Sequence, residues 1–267
     1  VDDVEVVVKK WMEMPLIGID TETTGLLVQE DRIFELGMVT FENGVITDSF
    51  CEFIDPMQTL SDVIVQKTGV DNSQVSGKPI FAHYANELVT RVKGQVLVGY
   101  NLLEFDLPLI QAELARVGLT MPECWAVDAL ILARGVVKGG RHTLSDMAVH
   151  FGVPMETAHR ANADAEATVR ILMAMAPELP ENLEELLALQ HHWWGEQRAK
   201  RAMWRNRDDS SRDIGLLGGN VMIGSKIIDD SGRIILGPGY LYGQQKDPLR
   251  AFVGALCNQA VESNKGL

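Results

Sequence analysis

Apolar and polar positions along the chain change period several times, and each change marks an element. A short apolar run, Leu16-Ile17-Gly18-Ile19, follows Pro15 and ends in acids, which predicts a first strand. Two β-rich stretches, Ile33–Phe41 and Val45–Ile54, flank Glu42-Asn43-Gly44. Asn and Gly both tolerate positive φ, so the pair predicts a hairpin. Gln95–Gly99 and the neighbourhood of Trp125-Ala126-Val127 read as a fourth and a fifth strand. Helical spacing runs over Ala82–Val92 and over Asp106–Val117, where Leu107, Ile110, Leu114 and Val117 recur at three and four. Leu144–Phe151 reads as a short helix. Ala161, Ala165, Thr168, Val169, Leu172 and Ala176 form the stripe of a longer one. Three strands, then alternating helices and strands, predict an α/β domain over residues 1–180. Its expected core is a mixed five-stranded sheet flanked by helices.

Beyond Pro180 the character changes. Leu183, Leu186, Leu187, Trp193 and Trp194 predict an amphipathic helix that leads into the basic stretch RAKRAMWRNR, with a linker at Asp208-Asp209-Ser210-Ser211. Residues 181–212 thus form a helix and linker. Residues 213–267 read as a small C-terminal α+β appendage. Its β-like runs are Asn220–Ile228 and Arg233–Leu236, joined by an Asp229–Gly232 turn. Asp247-Pro248 then opens a helix over Leu249–Val261.

Composition narrows the class. The 267 residues carry a formal charge of −13, and residues 1–60 alone hold three Lys/Arg against thirteen Asp/Glu. A broad phosphate-coating surface needs the opposite sign, so general nucleic-acid coating is excluded. A local basic strip, or metal ions that turn carboxylates into a phosphate site, stays open. Three scattered cysteines, Cys51, Cys124 and Cys257, contain no CxxC pair and suit a reducing compartment. No apolar run of about 18 residues occurs, and acids precede the first apolar stretch. These features point to a cytoplasmic protein that does not enter a membrane.

Against that background, four acids stand where strands end or helices begin. Asp20 and Glu22 lie in DTETTG; two residues apart in an extended chain, they point to the same side. Asp106 closes GYNLLEFD, and Asp164 sits in the first turn of the Ala-rich helix, five residues after His159. Grouped carboxylates repel, and hard divalent cations remove the penalty; oxygen-only ligands favour magnesium or manganese. Two such ions about 4 Å apart clamp both oxygens of a phosphodiester displacement. A neighbouring histidine can take the proton of the attacking water. Taken singly, each residue has a plainer role. Asp106 would cap its helix, Asp164 would favour the helix dipole, and His159 would sit at the surface.

The order DTETTG, GYNxxxFD, HxAxxD resembles the three motifs of the DEDDh, or DnaQ-like, 3′–5′ exonucleases over roughly residues 13–177. Lys67-Thr68-Gly69-Val70, Asp128-Ala129-Leu130 and His142-Thr143-Leu144-Ser145 fall in fitting places. The resemblance implies a ribonuclease H-like fold and a phosphodiesterase using two Mg2+ or Mn2+ ions. It implies that Asp20 bridges both ions, that Glu22 and Asp164 bind one or both, and that Asp106 holds one partly through water. His159 is implied as general base, and a histidine five before the last acid separates this type from the tyrosine type. Thr23 and Leu26 fall where the family grips and wedges the terminal nucleotide, and Asn101 lines the same cleft. One departure is that the second motif reads GYN rather than the more frequent HN form. Lys138, Arg141 and His142 are candidate basic contacts in a Gly-rich loop.

The expected substrate is therefore a nucleic acid 3′ end, with DNA favoured over RNA, in proofreading or end trimming. Two alternatives are an exoribonuclease or oligoribonuclease and an accessory polymerase subunit active mainly in complex. A different class is a non-catalytic binding module that keeps the fold. Residues 190–212 mix tryptophan with six Lys/Arg against three Asp/Glu. That mixture suits packing on the catalytic domain, tracking along a single strand, or docking to a DNA polymerase or other replication partner.

Overall fold

A computed structural model describes residues 10–155, 160–208, 226–228 and 234–236. His159 and the helix expected over Leu249–Val261 lie outside the described residues, as does the Asp229–Gly232 turn. Five strands form one sheet: β1 (Leu16–Thr23), β2 (Ile33–Glu42), β3 (Val45–Phe53), β4 (Val96–Gly99) and β5 (Trp125–Asp128). Their order is β3-β2-β1-β4-β5. β1, β2 and β3 are an antiparallel meander, whereas β1–β4 and β4–β5 are parallel. This is the mixed sheet expected from the sequence. The Asn43-Gly44 hairpin also forms, with φ of 50° and 86°.

The helices are α1 (Asp62–Thr68), α2 (Asn72–Val75), α3 (Phe81–Val92), α4 (Asp106–Arg116), α5 (Ala129–Val136), α6 (Leu144–Phe151), α7 (Ala161–Met175) and α8 (Leu183–Asp208). α1, α2 and α5 were not read from periodicity. α1 buries no residue and α2 only Val75, so neither carries an apolar stripe; caps define them instead. Ser61 caps α1, and Asp71 with Gln74 forms a capping box on α2. α5 opens on five consecutive buried apolar residues, Ala129–Ala133, so no polar position there marks a helical period. In the last part of the chain, β6 (Lys226–Ile228) pairs antiparallel with β7 (Ile234–Leu236), inside the two runs expected there.

Alternation along β1 assigns its two faces. Ile17 and Ile19 join a core with Leu88, Val92, Leu107, Ile110 and Leu114 of α3 and α4. Leu16 joins a second core with Ala165, Val169 and Leu172 of α7. Gly18 shares that second face, as do Asp20 and Glu22 by their spacing of two. The strand extends through both acids, further than the apolar run suggests, because Asp20 pairs with Gly37 and Glu22 with Glu35 on β2.

Glycine sets the distance between α7 and the sheet. A Cβ on Gly37 would lie 2.1 Å from the Ala161 carbonyl carbon and 2.2 Å from the Asn162 nitrogen. A Cβ on Gly18 would lie 2.8 Å from the Ala165 carbonyl oxygen. With Ala161 and Ala165 opposite, the helix backbone rests directly on β1 and β2, and its first turn overhangs Asp20. Gly37→Ala must therefore push the start of α7 off the sheet. The expected loss exceeds about 2 kcal/mol in urea unfolding, since the clash is with backbone that cannot rotate away. A loss under about 0.5 kcal/mol would show that the helix is not seated as described.

Candidate active site

Asp20 and Glu22 project from β1 toward the first turn of α7, where Asp164 meets them. Ligand oxygens of these three carboxylates lie within 4.8 Å of one another. Glu22 and Asp164 are buried, and Asp20 is half-buried. The Asp164 amide donates to the Arg160 carbonyl at 3.0 Å, and its own carbonyl accepts from Thr168 Oγ1 at 2.7 Å. The side chain is thereby carried by regular helix rather than by a loop.

Electrostatics follow from that convergence. Burial, followed by Asp106, Asp164, Glu22 and Glu35, pushes the Asp20 carboxyl well above its ordinary range. Burial raises Glu22 to about 7; the Lys67 ammonium opposes the rise, while Asp164 and Glu35 add to it. Asp106 is also raised to about 7 by burial, against the hydrogen bond it accepts from Thr21. The site thus resists holding its full negative charge unless a cation offsets it.

Asp106 stands slightly apart from the trio. Its Oδ1 accepts from the Thr21 amide at 3.2 Å and from Thr21 Oγ1 at 2.7 Å. Thr21 lies between Asp20 and Glu22 on the opposite face of β1, so this bond ties the start of α4 to the strand bearing the other acids. Asn101 takes φ of 66° at the end of β4, a conformation that Asn tolerates better than most residues. Thr23 is buried and donates from Oγ1 to the Gly25 carbonyl, whereas Leu26 is 79% exposed. Arg141 pairs with Asp146 at 3.3 Å, and His142 Nε2 lies 3.0 Å from the Val137 carbonyl. Lys138 Nζ donates to the Gly135 carbonyl.

Two further acids support the site: Asp128, noted in the sequence only as part of Asp128-Ala129-Leu130 with no role assigned, and Glu35, which was not singled out. Asp128 is fully buried, yet its carboxylate accepts from four amides: Asn101, Leu103, Leu130 and Ile131. Burial raises it to about 6 against those bonds. It both caps α5 and pins the turn that leads to Asp106. Glu35, also fully buried, accepts from Arg160 Nε at 2.9 Å and from Cys51 Sγ at 3.1 Å. Arg160 is the residue before α7, so this pair anchors the helix start to β2. A signal existed for Glu35: it is a charge inside the apolar run Ile33-Phe34-Glu35-Leu36.

Three convergent carboxylates, with Asp20 and Glu22 raised, are all oxygen donors; they fit hard divalent cations and exclude a thiolate-type site. A mixed five-stranded sheet in the order β3-β2-β1-β4-β5, with such a cluster on its central strand, is a ribonuclease H-like fold with a carboxylate site able to take a divalent cation. The exonuclease family model, RNase_T, matches residues 17–172, and the chain belongs to that family. It is 31% identical over 183 residues to the 3′-5′ exonuclease DinG of Bacillus subtilis strain 168, covering 66% of this chain and 20% of that protein. The PolC-type DNA polymerase III of Caldanaerobacter subterraneus subsp. tengcongensis matches at 34% over 171 residues, or 64% and 12% of the two chains. The DNA polymerase III subunit epsilon of Treponema pallidum matches at 33% over 161 residues, or 59% and 74%. The chain spans only about a fifth and an eighth of the first two relatives.

Solved structures agree on the fold. E. coli exonuclease I in complex with a dA16 oligonucleotide superposes with a TM-score of 0.54 at 18% identity, over 61% of this chain and 41% of that one. Exonuclease X in complex with 5′ overhanging duplex DNA gives 0.51 at 21%, over 66% and 99%.

The raised carboxyls make stability depend on pH when no metal is bound. Glu22 ordinarily titrates near 4.5 and Asp106 near 3.8, but both titrate at about 7 here. Between those values the folded state keeps protons that the unfolded chain has released, so stability falls as pH rises through the window. In EDTA, the Tm is expected to be lower at about pH 8 than at about pH 5.5, with Glu22→Gln narrowing the difference. A Tm that is flat or rises over that range would contradict the crowding of charge described here.

Proposed function

We propose that the chain is a two-metal 3′–5′ exonuclease that releases nucleoside monophosphates from DNA 3′ ends, single-stranded or frayed, in proofreading or end trimming. The observation that carries this reading is the convergence of Asp20, Glu22 and Asp164 in a chain of the exonuclease family. Two Mg2+ or Mn2+ ions would be held by those three carboxylates, with Asp106 reaching one of them through water. When bound, such ions neutralise phosphate charge and make water more acidic.

The chain's own residues supply the rest. His159 takes the proton of the attacking water. The water oxygen bonds to phosphorus while the bond to the 3′ oxygen breaks. The products are a 5′-monophosphate and a shortened strand, whose new 3′ oxygen takes up a proton. Leu26, exposed four residues after Glu22, would offer an apolar edge to the terminal base, with Thr23 gripping the same nucleotide and Asn101 lining the same cleft.

Preference for DNA is supported by the relatives named as DNA polymerase III. The same names support a polymerase or other replication partner, for which the C-terminal region is the candidate contact. A cytoplasmic location fits the free Cys51 and Cys124.

The test is digestion of matched 3′-labelled and 5′-labelled strands, as DNA and as RNA, with Mg2+ or Mn2+ and an EDTA control. Metal-dependent release of mononucleotides from DNA 3′ ends is expected. Faster cleavage of RNA would replace the substrate with oligoribonucleotides. Silence on every strand would contradict an autonomous enzyme in favour of a subunit active only in complex. Asp20→Ala is expected to abolish cleavage without unfolding the protein. His159→Ala is expected to slow single-turnover cleavage roughly 10²–10⁴-fold, and an unchanged rate would remove its role as base.

A further inference from the structure

The family match ends at residue 172, and α8 begins at Leu183. This helix nevertheless reaches back to the turn that delivers Asp106. Gln190, almost fully buried, accepts from the Asp128 amide at 2.7 Å and donates to the Ala126 carbonyl at 3.0 Å. Trp193 fills a seat on α5, where a Cβ on Gly135 would stand 2.1 Å from its ring. Trp194, 8% exposed, donates from Nε1 to Glu104 Oε1 at 3.0 Å. Arg201 donates to both oxygens of the same carboxylate, with Nη1 2.6 Å from Oε2 and Nη2 on Oε1. Glu104 accordingly keeps a lowered pKa: burial would raise it, and Arg201 and Trp194 more than offset that effect.

Glu104 lies two residues before Asp106, in a turn that opens with Asn101 at positive φ. Such a backbone holds its conformation only when its surroundings over-determine it. Asp128 braces the turn through the Asn101 and Leu103 amides. Glu104 is gripped at the other end by a bidentate arginine and an indole, and neither donor is available to a simple solvated loop. A bidentate guanidinium fixes direction as well as distance.

We propose that Glu104 is a positioning residue for Asp106, and that Arg201 and Trp194 of α8 hold it in place. On this account α8 is a brace of the metal site and part of the catalytic unit, and Arg201 and Trp194 are not strand-tracking residues. The inference rests on the exonuclease reading only in what Asp106 does; its structural half is independent of substrate.

The test compares Arg201→Ala, Glu104→Gln and the reversed pair Glu104→Arg with Arg201→Glu. Mn2+ affinity is measured by electron paramagnetic resonance without nucleic acid, alongside kcat and KM on a labelled DNA strand and Tm. Both single variants are expected to weaken Mn2+ binding about tenfold, the low end for residues that orient metal ligands. The expected kcat falls with KM for the strand unchanged, and the reversed pair regains part of the loss. A raised KM with unchanged Mn2+ affinity would mean that Arg201 touches nucleic acid, overturning the proposal. A lowered Tm with unchanged metal affinity and kcat would reduce the contact to packing, also overturning it. If the wild-type protein binds Mn2+ but cleaves nothing, the exonuclease reading fails while the Mn2+ comparison still decides this one. If it binds no Mn2+, both fall.

Discussion

The close seating of α7 on β1 and β2 is the constraint from which the site follows. Gly18 and Gly37 put no side chain of their own between strand and helix, so the Ala161 and Ala165 backbone and the Val169 side chain close directly over them. Only with that gap closed can Asp164 bring its carboxylate to within 4.8 Å of ligand oxygens on Asp20 and Glu22. The apolar stripe of Val169, Leu172 and Met175 then holds the rest of the helix in a buried core. The distance between the acids is thus set by backbone contact, the least adjustable contact in the molecule.

That geometry concentrates negative charge where burial already disfavours it. Glu22 and Asp106 are raised to about 7, and Asp20 is raised as well. A protein selected for stability alone would not keep these groups together, and sites that break local rules in this way are where function is expected. The supporting contacts run outward in layers. Thr21 holds Asp106, Asp128 holds the turn before it, and Glu35 with Arg160 fixes the start of α7 to β2. Each links elements distant in sequence, so the site depends on the whole domain.

Much of this was legible in the residues. Asn43-Gly44 announced its hairpin because few other dipeptides take positive φ twice. Asp20, Glu22, Asp106 and Asp164 stood out because an acid at the edge of an apolar element has few plain uses, and four in order have fewer. Periodicity failed where an element has no apolar face, as in α1 and α2, or opens on an unbroken apolar run, as in α5. The second layer was hidden for another reason. Nothing local in Asp128, Glu104 or Gln190 says which distant amide or side chain each will meet. By composition the tryptophans near residue 194 suited packing somewhat better than strand binding. The buried Trp194 ring and its bond to Glu104 decide for packing, with the exposed Arg198 guanidinium lying 5.2 Å over its face.

The central claim is that α7 completes a divalent-metal site with β1. A crystal grown or soaked with Mn2+ tests it directly through the anomalous scattering of the metal. The account expects strong peaks within ligand distance of Asp20, Glu22 and Asp164, and their loss in Asp164→Asn. A map with no peak at that trio, or with peaks only at other carboxylates, would contradict it.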